Sequence, residues 1–105
     1  MALYETTVIL RPELAGADVE KLSDELAGIV TSNNGKLVKK AIWGLKELAY
    51  KVKKNKKGNF VHYNFEADSS AMAELRRKLK ISEDVIRELT VKVSNFNQDA
   101  INLEG

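Results

Sequence analysis

The chemistry most strongly written into this 105-residue sequence is cationic. Residues 36–58 carry nine lysines against one glutamate, whereas the stretches on either side are both net acidic, so that the whole chain comes to only +2. Concentrating charge in this way leaves a local electrostatic footprint, since like charges at short spacing repel until a polyanion neutralises them. The densest run is Lys53-Lys54-Asn55-Lys56-Lys57-Gly58. Polar, like-charged and closed by glycine, it reads as a hairpin tip, with Lys53, Lys54 and Lys56 as phosphate-binding candidates. The competing reading is a solvated strand edge that its lysines protect from aggregation.

No constellation for catalysis accompanies this charge. The single histidine, His62, lies mid-strand with no fixed acidic partner, and reads as a partly exposed side chain that packs or hydrogen-bonds on a sheet face. Ser23, Ser69 and Ser70 lack the glycine-flanked elbow of a nucleophilic serine. The carboxylate pairs Asp24-Glu25 and Glu83-Asp84 are adjacent in sequence and therefore diverge in direction. With no cysteine, thiolate ligands and disulfides are excluded, and one histidine makes a poor metal site. No phosphate loop with its lysine occurs. The expectation is a protein that is not an enzyme, with no metal, cofactor or small-molecule substrate. A small split-βαβ enzyme or metabolite-binding domain would need converging polar groups that the sequence does not offer. No apolar run approaches the roughly 20 residues that span a bilayer, and no basic cluster precedes an apolar stretch at the start, so a cytoplasmic protein without membrane contact is expected.

The elements that must position these lysines follow from periodicity. Residues 3–11 are β-branched and aromatic and stop before Pro12; their even positions Tyr4, Thr6, Val8 and Leu10 are assigned to the core. From Asp18 the spacing of Val19, Leu22, Leu26, Ile29 and Val30 predicts an amphipathic helix ending at Asn33-Asn34-Gly35. Residues 36–53 read as a long strand whose apolar residues are too irregular for one alternation, which predicts a bulge near Gly44. In the strand over 59–67, Val61, Tyr63, Phe65 and Ala67 point one way, and Phe60, His62, Asn64 and Glu66 the other. Asp68-Ser69-Ser70 caps a second helix with the stripe Met72, Leu75 and Leu79, and its basic C-terminal end suits the helix dipole. Residues 85–93 form the last strand. The order is βαββαβ, an α+β split βαβ (ferredoxin-like) arrangement: a four-stranded antiparallel sheet with two helices on one face. A single domain over residues 1–93 is expected, with 94–105 a flexible C-terminal tail.

Lys57 to Tyr63 is similar to the third-strand motif of RNA-recognition modules, in which sheet aromatics stack on bases. A stand-alone module binding single-stranded RNA is therefore the alternative reading. Far more specific is Trp43-Gly44-Leu45-Lys46-Glu47-Leu48-Ala49-Tyr50, which resembles the signature of bacterial small-subunit ribosomal protein six. Tyr4-Glu5, Gly35, Gly58-Asn59-Phe60, Leu79-Lys80-Ile81 and Val85-Ile86-Arg87 fall at spacings like those of that family, over about residues 3–93.

The resemblance implies the same split βαβ fold and a structural protein of the small ribosomal subunit that supports its assembly and translation. It implies binding to the central domain of small-subunit ribosomal RNA as a heterodimer with ribosomal protein eighteen. The positions matching the family's basic RNA contacts are Lys80, Arg87 and Lys92, and the helix-free sheet face with Phe60, His62 and Trp43 matches where the partner protein packs. Lys51 stands where the family commonly has proline, restoring a backbone donor, so more regular strand pairing is expected there. Leu3 stands where many members carry a basic residue, and no counterpart of the long acidic tail of some members is expected.

Overall fold

The computed structural model describes residues 1–96. In chain order the elements are β1 (Ala2–Leu10), α1 (Gly16–Ser32), β2 (Lys36–Val52), β3 (Asn55–Ala67), α2 (Ser69–Ile81) and β4 (Val85–Val93). They form the expected four-stranded antiparallel sheet in the order β2-β3-β1-β4. What was expected beyond Phe96 lies outside the described residues.

The parity read for the inner strands holds. Tyr4, Thr6, Val8 and Leu10 of β1 and Val61, Tyr63, Phe65 and Ala67 of β3 are all buried, and they pack against Val19, Leu26 and Val30 of α1 and Ala71, Met72, Leu75 and Leu79 of α2. Both helices thus cover one sheet face. Each such aliphatic or aromatic side chain contributes about 1.5–3 kcal/mol by leaving water. Tyr63 stacks on Phe65 with centroids 5.2 Å apart and donates its hydroxyl to the Ser23 carbonyl at 2.9 Å, so its polar end is satisfied inside the core. Burial pushes its phenol well above the ordinary tyrosine range.

The end of α1 is built on two residues with different tasks. Asn34 takes the left-handed conformation at φ 67°, and Gly35 donates its N–H to the Val30 carbonyl at 2.9 Å. A Cβ on Gly35 would sit 2.5 Å from Val30 Cγ1, so glycine is needed there for close approach. The start of α2 differs from expectation. Asp68 occupies the cap position with extended backbone, but its carboxylate makes no capping hydrogen bond.

Two features of the β2–β3 hairpin depart from the sequence reading. The turn is tighter than a six-residue tip, because only Lys53 and Lys54 form it and β3 already begins at Asn55. Both lysines adopt positive φ, 49° and 68°, the primed-turn geometry that normally selects Asn-Gly and that costs a residue with a Cβ about 1 kcal/mol. Nor is the pairing around Lys51 regular. The register shifts between Glu47↔Lys57 and Val52↔Asn55, leaving Leu48–Lys51 opposite Lys56 alone. A restored N–H does not straighten a strand with three surplus residues. The bulge expected near Gly44 is present: Ile42 pairs with Val61 and Gly44 with Phe60, so Trp43 is the extra residue, and Gly44 has φ +85°.

Candidate functional site

The hairpin is longer than the strands beside it, and its distal half leans over the end of the sheet. Lys53 at the turn, Lys80 in the last turn of α2 and Arg87 on β4 come to border one hollow of about 280 Å³ with Leu79, Val85 and Glu88. All three cationic side chains are exposed. The one acid there is already engaged, since Glu88 faces Arg76 at 3.6 Å and accepts from the Thr90 hydroxyl at 3.2 Å. The hollow therefore presents a net positive concavity built by three separate elements, suited to an anion with several oxygens.

The other basic candidates lie apart. Lys56 borders a second hollow with Lys51 and Lys57, beside Glu47, Leu48 and Ala49, while Lys54 is exposed at the turn. Lys92 pairs with Tyr4 and so lies on the helix side of the sheet edge, beside Arg76 and Met72. Arg87 pairs with Ile9, on the uncovered side. The two are five residues apart, about 17 Å along the strand, and belong to different surfaces. Lys57 adjoins Lys56 in the sequence, whereas Lys51 is brought to Lys56 and Arg76 to Lys92 by the fold.

The helix-free face has a covering of its own. Trp43, thrown over it by the bulge, stacks on His62 with centroids 5.2 Å apart and planes at 6°, and on Phe60 at 6.4 Å. His62 is consequently only 3% exposed, which corrects the expectation of a partly exposed histidine. Its Nδ1 lies 3.0 Å from the Thr7 hydroxyl and its Nε2 3.1 Å from Asn64 Oδ1, an arrangement that a neutral ring satisfies by accepting at Nδ1 and donating at Nε2. Burial lowers its pKa, opposed by the Asn64 hydrogen bond and the charge of Glu5. Of the three residues assigned to a partner face, His62 is sealed beneath Trp43, whereas Trp43 and Phe60 are half-buried. The indole Nε1 is buried with no hydrogen-bond partner among the described residues. Large apolar side chains exposed on this face include Leu89 and Val91 of β4, at 57% and 46%, which pair with Thr7 and Glu5.

No group of histidine or carboxylate side chains able to hold a metal occurs among the described residues, and no helix there is long and apolar enough to cross a membrane.

Comparison with known proteins places this geometry in context. Residues 3–92 match the family described as Ribosomal protein S6. The small ribosomal subunit protein bS6 of Paramagnetospirillum magneticum is 43% identical over 93% of this chain and 68% of its own length. That of Rickettsia felis is 38% identical over 94% of this chain and 82% of its own. Among solved structures, 30S ribosomal protein S6 from Thermotoga maritima superposes with a TM-score of 0.83 at 25% identity, covering 88% of this chain and 87% of that one. The match runs through the bulged hairpin, both helices and all four strands, and on this evidence the chain belongs to the ribosomal protein S6 family of the small ribosomal subunit.

Proposed function

We propose that this chain binds the central domain of small-subunit ribosomal RNA through phosphate contacts, as a heterodimer with ribosomal protein eighteen docked on its helix-free sheet face. The family is one of ribosomal structural proteins and not of enzymes, so the work to be explained is binding. The observation that carries the RNA half is the convergence of Lys53, Lys80 and Arg87 from a turn, a helix end and a strand on one concavity. Such a cluster does little for folding, because exposed like charges repel, and it matches the spread of charge along a folded RNA backbone. Support for the protein half comes from Leu89 and Val91, exposed on β4 on the face that also carries the half-buried Trp43 across the sheet on β2.

The arrangement also favours docking over base stacking on the sheet. In an RNA-recognition module the strand aromatics lie open to bases, whereas here Trp43 occupies the surface of His62 and Phe60.

The test is a titration of ribosomal RNA affinity against KCl. Three phosphate contacts predict a slope of log K against log salt near −2 to −3. A flat response would sink the phosphate reading. Co-purification with ribosomal subunits at moderate salt is the companion observation for the whole chain.

A further inference from the structure

The distal β2–β3 hairpin contains one side chain that neither folding nor the basic hollow accounts for. Tyr50 is 84% exposed, the most exposed of the large apolar or aromatic residues in the described chain. It sits in the stretch where the ladder loses its register, with four residues, Leu48–Lys51, set against the single Lys56. The surplus bows the strand away from its partner. Beneath the bow is a hollow of about 200 Å³ floored by Ile9, Leu48, Val52 and Phe60, with Tyr50 and Arg87 on its rim. It shares Glu47, Leu48 and Ala49 with the adjoining hollow bordered by Lys51, Lys56 and Lys57. An aromatic plane, a small apolar floor, an arginine and three lysines, with Glu47 the one acid, are thus gathered around the bend from all four strands.

We propose that this bend holds one unpaired nucleotide of an RNA strand, its base stacked on Tyr50 over the apolar hollow and its neighbouring phosphates on Lys51, Lys56 and Lys57. The inference rests on the RNA reading above and deepens it by naming what form of RNA the hairpin takes. A tyrosine ring offers a π-face to any base, so stacking is tolerant of sequence, while the lysines supply the salt-dependent part. A base in a paired helix could not enter, because its faces are occupied by its neighbours. Arg87 belongs to both hollows and joins the bend to the phosphate site formed with Lys53 and Lys80. A strand held at the bend would therefore continue into that site.

The experiment uses the full chain and two fluorescent probes, a ten-nucleotide single-stranded adenylate RNA and a fully paired RNA duplex of equal length. Tyr50→Ala is expected to weaken the single strand by about tenfold. It should leave the salt slope and the duplex affinity unchanged, and Tyr50→Phe should bind within twofold of wild type. Lys56→Ala with Lys57→Ala is expected to flatten the single-strand slope by about one unit. Wild-type affinity in Tyr50→Ala would overturn the proposal, as would an equal loss on the duplex or a loss in Tyr50→Phe as large as in Tyr50→Ala. So would a Tyr50→Ala variant impaired only in binding ribosomal protein eighteen. Lys80→Ala with Arg87→Ala separates the two readings. If that pair weakens the duplex while Tyr50→Ala affects nothing, the phosphate reading stands and the stacked nucleotide falls; if neither probe binds the wild-type chain, both fall.

Discussion

The two faces of the sheet are made from the same strands, one residue out of phase, yet they are finished in different ways. On the helix side every even position of β1 from Tyr4 to Leu10 and every odd position of β3 from Val61 to Ala67 is buried, and the two helices complete the covering. On the other side the described residues supply Trp43, which shields His62 and part of Phe60, and the bowed end of β2 near Ile9, and they leave Leu89 and Val91 in water. The difference separates residues that fold the protein from residues that dispose it to meet something else. Burial on the first face is complete within the chain, whereas burial on the second ends where a partner would begin.

That contrast can be broken at defined positions. The largest expected effect is on the covered face: Phe65→Ala, which removes a fully buried ring stacked on Tyr63, should lower unfolding free energy in urea by about 3–5 kcal/mol. Trp43→Ala, on the other face, should weaken ribosomal protein eighteen binding by roughly thirtyfold in calorimetry, the loss of an anchor contributing about 2 kcal/mol. If Trp43→Ala unfolded the chain as readily as Phe65→Ala, the division between the faces would not hold. Lys80→Ala with Arg87→Ala should reduce RNA affinity severalfold while changing stability by less than about 0.5 kcal/mol, since both side chains are exposed. Measuring affinity and denaturation on the same sample makes the comparison direct.

Smaller effects sharpen the picture. The folded-state pKa of His62 is depressed, chiefly by burial, below its unfolded value near 6.5. The unfolded chain therefore binds the proton first as pH falls, so this contribution to stability is fully present above about pH 6.5 and is lost below it. Denaturation midpoints should drop between pH 7 and pH 5.5, and His62→Gln should remove that part of the dependence. An unchanged profile in the variant would place the origin elsewhere. Smallest of all, Lys54→Gly relieves a side chain held at φ 68° and should raise stability by up to about 1 kcal/mol in thermal unfolding.

How much of this could be read in advance depended on whether a feature was local. The parity of β1 and β3 and the bounds of β4 followed from strict alternation, and the bulge at Gly44 from its failure. The helix stop at Asn33-Asn34-Gly35 was legible because few residues accept the left-handed conformation. The sealing of His62 was not, since its cover comes from another strand by way of an inserted residue whose direction no period records. Nor was the two-lysine turn, where positive φ falls on residues that do not announce it. At the site, the basic run and the positions of Lys80 and Arg87 were visible singly. Their meeting with Lys53 exists only once the hairpin reaches the end of the sheet, whereas the separation of Lys92 follows from its odd spacing from Arg87 on one strand.

The stack of Trp43 on His62 also makes the molecule its own optical probe. Trp43 is the single tryptophan of the chain, so all indole emission originates on the face where a partner is proposed to sit. An imidazolium accepts an electron from an excited indole far more readily than a neutral imidazole does, and at 5.2 Å the two rings are close enough for that transfer. Emission should therefore dim as His62 takes up its proton. It should shift toward the blue when a docked surface excludes water from the ring. Acidification and assembly would then leave different marks on one fluorophore, one in intensity and one in wavelength, readable without labelling the protein.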